Sequence, residues 1–229
     1  VVHPDPAQRC FGDIDLLVRS EEIDAAVDAL IAAGGRRPAP ELAPGFDRRF
    51  AKAVTLRWHG GTEMDLHRTL AAGPYGFLVD LTELFAVPAH FRLAGRQLRT
   101  LEPDHQLLHA ALHLSLGDVD VRLGHVRDLA LLCRHPSVDA ERVLAAAGRW
   151  GIEAPVADGL RHVGRLGLPA TRLEDWAAGF TPGRRDRVRM SAYRRRRGRY
   201  RRQALASLPV LGRTERVAFL RALLARRRG

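Results

Sequence analysis

Two carboxylates one residue apart open an apolar run in Gly12-Asp13-Ile14-Asp15-Leu16-Leu17-Val18. In a β-strand, alternate side chains point to the same face, so Asp13 and Asp15 would project together. Adjacent carboxylates repel each other, and a divalent cation such as Mg²⁺ relieves that repulsion. The pattern therefore predicts a metal site that serves a nucleotide. The plainer interpretation is an acidic pair that caps a strand or the following helix.

A third carboxylate falls on a second predicted strand. The sequence alternates between apolar and polar residues on both sides of Gly60-Gly61, over residues 50–58 and 62–67. Two such segments around a Gly-Gly turn predict a β-hairpin. Asp65 would then lie on a strand that could neighbour the first one. Three carboxylates on two adjacent strands are typical of sites for two-metal phosphoryl or nucleotidyl transfer.

The chain resembles the bacterial family of uncharacterised nucleotidyltransferases, within the DNA polymerase beta superfamily. The resemblance covers roughly residues 1–165, and His3 replaces the tyrosine of the family pattern. The matching motifs are Pro4-x-Pro6-x-x-Arg9, Gly12–Val18, Met64-Asp65-Leu66-His67, the pair His109 and His113, Arg122-Leu123, and Asp128–Leu132.

The resemblance implies a metal-dependent transferase. It would move a nucleoside monophosphate from a nucleoside triphosphate to an acceptor hydroxyl and release pyrophosphate. Asp13, Asp15 and Asp65 would bind Mg²⁺ or Mn²⁺ and carry out catalysis, with Asp65 helping to activate the acceptor hydroxyl. Arg9 and Gly12 would contact the nucleotide. The acceptor stays open between a small molecule, a peptide or protein side chain, and RNA.

One feature of the superfamily does not appear ahead of the Asp13-x-Asp15 strand. Superfamily members carry a preceding strand and a turn, with Gly-Ser or in this family Lys-Gly, that binds the triphosphate through backbone N–H groups. The sequence starts at Val1-Val2-His3. We therefore expect a fragment, a late-started gene model or a decayed enzyme, with weak or absent activity. The alternative function is a decayed transferase fold that acts as a basic nucleic-acid-binding or interaction module.

The order of predicted elements indicates the α+β class. A small mixed sheet with helices, the nucleotidyltransferase-like domain, is expected over residues 1–100, a helical bundle over residues 101–180, and an Arg-rich tail, helical or partly disordered, over residues 181–229. Ser20 is the expected N-cap of the first helix, which Gly34-Gly35 ends. Leu93–Leu98 is expected to form a short hairpin turn. His109 and His113 lie at i and i+4, and packed histidines are favoured there over a metal site.

The C-terminal tail is dense in arginine between Arg184 and Arg202, with Tyr193 and Tyr200 among the arginines. The chain carries a net charge of +11. Such a patch is compatible with a nucleic acid, an anionic membrane surface or simple solvation. Val217, Leu220, Leu223 and Leu224 predict a basic amphipathic helix at the end of the chain.

The remaining features favour a cytoplasmic protein. Hydrophobic residues make up 46% of the chain, and no apolar run reaches the roughly eighteen residues of a membrane span. Cys10 and Cys133 lack the spacing of metal ligands, and we expect reduced thiols.

Overall fold

The computed structural model of the protein describes residues 12–117, 120–194 and 197–225. It has the predicted α+β class, with small sheets followed by helices. The chain forms two compact units. Among the described residues, the sheet unit comprises residues 12–77 and 207–225, and the helical unit comprises residues 78–206 without 118–119 and 195–196.

The sheet unit is built on three strands, β1 (Ile14–Leu17), β2 (Ala53–Arg57) and β3 (Glu63–His67). Their order is β1-β3-β2, with β3 parallel to β1 and antiparallel to β2. The predicted hairpin is confirmed. Gly60 and Gly61 have φ of 94° and 86°, a left-handed conformation that glycine adopts without steric cost.

Helix α1 (Ile23–Ala32) packs on one face of this sheet. Apolar residues from the helix and from β2 and β3 form the core there, namely Ile23, Val27, Val54, Leu56 and Leu66. Because side chains alternate along β3, the neighbours of Leu66 point to the opposite face. The sheet therefore has one apolar face and one face that carries polar residues.

The start of α1 differs from the expectation. Ser20 lies inside a single 3₁₀ turn, Ser20–Glu22, and its side chain caps no helix; α1 itself starts at Ile23 without a side-chain cap. The end is as predicted, since the Gly34 and Gly35 N–H groups donate to the carbonyl oxygens of Ile31 and Leu30. The 3₁₀ turn satisfies backbone groups that a serine cap would otherwise serve.

The last helix, α11 (Arg213–Ala225), packs in the sheet unit. The Phe219 ring lies 5.1 Å from that of Phe50, 6.1 Å from that of Phe46 and 6.3 Å from that of Phe77, measured between centroids. An ion pair of 3.0 Å between Arg49 and Glu215 also joins α11 to the segment that carries Phe46 and Phe50. Short helix α2 (Phe46–Arg49) supplies part of this aromatic cluster.

The predicted C-terminal helix is present as α11, and most of the apolar residues that indicated it are not buried. Val217, Leu220 and Leu224 are exposed, whereas Phe219 and Ala222 are buried. The helix turns the face with its one phenylalanine inward because three other phenylalanines are available there, and aromatic pairs add to simple area burial.

The helical unit begins with α3 (Leu81–Ala86) and a hairpin of β4 (Ala89–Leu93) and β5 (Arg96–Thr100), which confirms the turn expected within Leu93–Leu98. The helices that follow are α4 (Pro103–Leu116), α5 (Leu123–Cys133), α6 (Ala140–Trp150), α7 (Glu153–Gly164), α8 (Arg172–Gly179), α9 (Arg184–Ser191) and α10 (Arg199–Ser207). Helices α4 and α7 pack so closely at Gly159 that a side chain there would not fit. A Cβ atom at this position would lie only 2.7 Å from the Ala111 carbonyl oxygen.

The expected domains, with boundaries at residues 100 and 180, stay a prediction. The compact units group the chain differently, since α3 and the β4–β5 hairpin lie with the helices and α11 lies with the sheet. Compactness does not decide which segment folds by itself.

Two smaller expectations concern the whole chain. Burial raises the pKa of the Cys133 thiol to about 12, which suits a reduced and unreactive cysteine, while Cys10 lies outside the described residues. Within the described part of the chain, every helix is too short or too polar to cross a bilayer.

The aromatic cluster gives a test of how α11 contributes to stability. We expect Phe219→Ala to lower the free energy of unfolding of the sheet unit by about 3 kcal/mol, since a large ring is removed from a packed site. Leu224→Ala, on the same helix but exposed, is the matched control. Urea unfolding followed by circular dichroism measures both variants. Equal midpoints for the two variants would contradict the packing role of α11.

Candidate metal centre

A row of polar residues crosses the three strands on the face opposite α1. Asp15 on β1 is directly opposite Asp65 on β3, and Thr55 on β2 is opposite Asp65 from the other side. The Thr55 hydroxyl donates a hydrogen bond of 2.5 Å to Asp65 Oδ1. Strand pairing thus brings together two carboxylates that are far apart in sequence, and a neighbouring hydroxyl fixes one of them.

His67 completes the group. It lies two residues after Asp65 on β3 and so shares its face. Its Nε2 lies 2.8 Å from Asp15 Oδ1. One ligand atom from each of Asp15, Asp65 and His67 falls within 4.8 Å of the other two. Among the described residues, this is the group of histidine, cysteine and acidic side chains that is close enough to hold one metal ion.

The burial of the three side chains differs across the group. The His67 side chain is only 7% exposed, whereas that of Asp15 is 46% exposed. A buried imidazole that bonds a carboxylate restricts the orientation of both groups. The site therefore has a fixed inner side at His67 and an open side at Asp15 that solvent and a ligand can reach.

The donor set fits a divalent cation. Carboxylate oxygens suit Mg²⁺ and Mn²⁺, and an imidazole nitrogen extends the range toward Mn²⁺ and other transition metals. Among the residues that the structure describes, none forms a hydrogen bond with the buried His67 Nδ1, and the Asp15 carboxylate holds the ring through Nε2. If Nε2 keeps its proton and donates to Asp15, a metal ion would be bound by carboxylate oxygens of Asp15 and Asp65 and not by the imidazole.

The predicted site residues have different places in the structure. Asp15 and Asp65 meet in register. Asp13 is exposed and precedes the first residue of β1, outside the close group. Gly12 is also exposed, and Arg9 lies outside the described residues.

Two members of the site were not among the predicted site residues. His67 was recognised only as part of the Met64–His67 motif, although its spacing from Asp65 already placed both residues on one strand face. Thr55 carried no signal, because its role depends on the register of the hairpin, which the turn length alone did not specify.

The paired histidines lie in the helical unit. The His109 ring packs against that of His113 on α4 at 6.2 Å, and His113 contacts the His125 ring on α5 at 4.5 Å. Both contacts are edge-to-face, a packing geometry that aromatic rings favour. The arrangement agrees with packed histidines.

Comparison with known proteins identifies the relatives of the chain. The family model for uncharacterised nucleotidyltransferases matches residues 2–167, which include β1, β3 and the whole Asp15, Asp65 and His67 group. No curated protein and no solved structure matches the chain significantly. Because the family match covers well over half of the sequence, this chain belongs to the uncharacterised nucleotidyltransferase family.

Proposed function

We propose that the protein transfers a nucleoside monophosphate from a nucleoside triphosphate to an acceptor hydroxyl, with Mg²⁺ or Mn²⁺ bound at Asp13, Asp15 and Asp65. The observation that carries the proposal is the in-register pairing of Asp15 with Asp65 inside the segment matched by the family. The family membership supports nucleotidyl transfer in general. The metal, the donor and the acceptor are the proposed additions.

Charge is the reason for a metal in this proposal. A triphosphate is a polyanion, and the carboxylates proposed to bind the metal, those of Asp13, Asp15 and Asp65, would repel it. A divalent cation held there would neutralise the phosphate charge and polarise the phosphoryl oxygen. Asp15 and Asp65 would bind through their carboxylate oxygens. Asp13, which precedes β1, would join them where continued alternation of the strand would turn it to the same face.

The neighbouring side chains would hold this arrangement in place. His67 fixes the Asp15 carboxylate through Nε2, and Thr55 fixes the Asp65 carboxylate through its hydroxyl. Asp65 would help to accept the proton of the attacking hydroxyl. Arg9 and Gly12 would contact the triphosphate, as the family resemblance implies. Pre-oriented carboxylates avoid reorganisation when the donor binds, which is a main source of catalytic power.

Metal binding can be measured without any knowledge of the acceptor. We expect the full chain to bind Mn²⁺ in electron paramagnetic resonance titrations, and Asp65→Asn to weaken that binding by more than tenfold because a ligand is lost. His67→Ala should weaken binding by about tenfold, because the Asp15 carboxylate loses its orienting partner. Asp28→Asn is the control, since Asp28 is exposed on α1 and outside the group. Equal Mn²⁺ affinity in Asp65→Asn and Asp28→Asn would contradict the metal site.

Transfer itself is tested with a nucleoside triphosphate labelled at the α-phosphate. The protein is incubated with Mg²⁺ and separate pools of small molecules, proteins and RNA, and incorporated label is counted. We expect transfer into one pool and a loss of at least about a hundredfold in Asp15→Asn, because the metal contributes several kcal/mol to transition-state stabilisation. Asp28→Asn should keep full transfer. Label incorporation that is unchanged in Asp15→Asn would refute the catalytic role.

The alternative function, a basic nucleic-acid-binding module, is favoured by one observation. On α10, Tyr200 is 82% exposed, and Arg201 and the preceding Arg197 are exposed as well. An exposed aromatic ring among arginines can stack on an unpaired base while the guanidinium groups contact phosphates. Tyr193 does not contribute, because it is buried.

Single-stranded RNA binding separates this alternative from catalysis. If the alternative holds, Tyr200→Ala should weaken binding of a fluorescent oligoribonucleotide by at least about fivefold, because a stacked base is lost. Leu205→Ala, also exposed on α10, is the matched control, and Asp15→Asn should bind RNA normally. Fluorescence anisotropy at fixed salt gives the affinities. Unchanged binding in Tyr200→Ala would exclude the stacking surface.

A further inference from the structure

The helical unit contains a cavity that neither the family motifs nor the metal centre account for. It has a volume of about 150 Å³ and lies between α7 and the segment from Pro182 to Arg194, which includes α9. One wall, α7, is inside the family-matched segment, whereas α9 is outside it. The polar residues that line it are Asp158, Arg161, Arg187, Ser191 and Arg194.

The cavity has an excess of positive charge. Three arginines and one aspartate line it, so two positive charges remain after the single carboxylate is counted. Asp158 is already engaged, since it accepts a hydrogen bond of 2.8 Å from the Ser115 hydroxyl and lies 3.7 Å from Arg194. Because Arg194 offsets the negative charge of Asp158, this carboxylate would repel an anion in the cavity only weakly.

The other two arginines are held by main-chain carbonyl groups. Arg161 donates to the carbonyl oxygen of Phe180, and Arg187 donates to that of Pro182 at 2.6 Å. Neither forms an ion pair with any residue that the structure describes. A guanidinium has five N–H donors, so each of these bonds fixes the group while leaving further donors and the full charge available. Two anchored, uncompensated guanidinium groups at one cavity are a feature of anion sites.

We propose that this cavity binds a phosphate group, with Arg161, Arg187 and Arg194 as its ligands. The excess of two charges matches a phosphate dianion better than a single carboxylate, and the planar guanidinium presents paired donors to phosphate oxygens. The Ser191 hydroxyl already donates its proton to the Val188 carbonyl oxygen, and its lone pairs would repel an anion. The arginines therefore supply the binding. The proposal does not depend on the metal centre, whose residues all lie in the sheet unit.

Isothermal titration calorimetry of the full chain with inorganic phosphate, at a pH where the dianion dominates and at constant ionic strength, tests the proposal. We expect saturable binding, and a loss of about tenfold or more in Arg187→Ala, because one charge-assisted contact is removed. Arg185→Ala is the matched control, since it removes the same charge from the same helix but does not line the cavity. Acetate at the same ionic strength should bind more weakly than phosphate.

Two results would overturn the proposal. One is the absence of phosphate binding above the chloride background. The other is an equal loss of phosphate affinity in Arg187→Ala and Arg185→Ala, which would indicate only non-specific electrostatic attraction to the arginines of α9. The melting temperatures of both variants without phosphate check that each is folded. Asp15→Asn should bind phosphate like the unaltered protein. The phosphate result therefore stands even if the proposed transferase function is refuted.

A second arm identifies where the phosphate group comes from. A short oligoribonucleotide without terminal phosphates is titrated against the phosphate-saturated protein. If the oligoribonucleotide displaces phosphate from the unaltered protein but not from Arg187→Ala, the ligand of the cavity is a phosphodiester group of RNA. Binding of free phosphate without such competition assigns it to a small phosphate compound. Both results place a phosphate group in the cavity.

Discussion

The parallel pairing of β1 with β3 is the constraint on which the candidate site depends. It sets Asp15 opposite Asp65 and brings His67 within 2.8 Å of the Asp15 carboxylate. A shift of the register by one residue would place Leu66 opposite Asp15 and move every polar side chain of β3 relative to β1. The apolar face makes such a shift costly, because Leu66 is buried in the core under α1. The packing of one face therefore fixes the chemistry of the other.

The basic C-terminal part of the chain does not act as one surface. In α9, Arg187 contributes to a cavity with α7. In α10, Tyr200 and Arg201 are exposed to solvent. In α11, Arg213–Ala225 supplies Phe219 to the aromatic cluster of the sheet unit. The basic segment therefore contains a helix that packs in the sheet unit, an arginine that lines a cavity and an exposed stretch on α10. The net charge alone does not distinguish these roles.

Local patterns in the sequence were sufficient for the strands and for two of the carboxylates. Gly60-Gly61 specified the hairpin, and the positions of Asp15 and Asp65 on two predicted strands indicated that they would be neighbours. What the sequence did not reveal depends on distant contacts. The buried face of α11 is selected by phenylalanines more than a hundred residues away, and Thr55 gains its role only through strand register. Ser20 is not the predicted N-cap because the chain forms a 3₁₀ turn at that point.

The central claim is that one divalent cation binds where β1 and β3 meet. The most direct measurement is paramagnetic broadening of backbone amide signals in nuclear magnetic resonance spectra during a Mn²⁺ titration. The account predicts that the signals next to Asp15, Asp65 and His67 broaden first, at Mn²⁺ levels below one equivalent, and that excess Mg²⁺ reverses the effect. Broadening that begins elsewhere, or that spreads evenly over acidic residues such as Asp28 and Asp104, would contradict it.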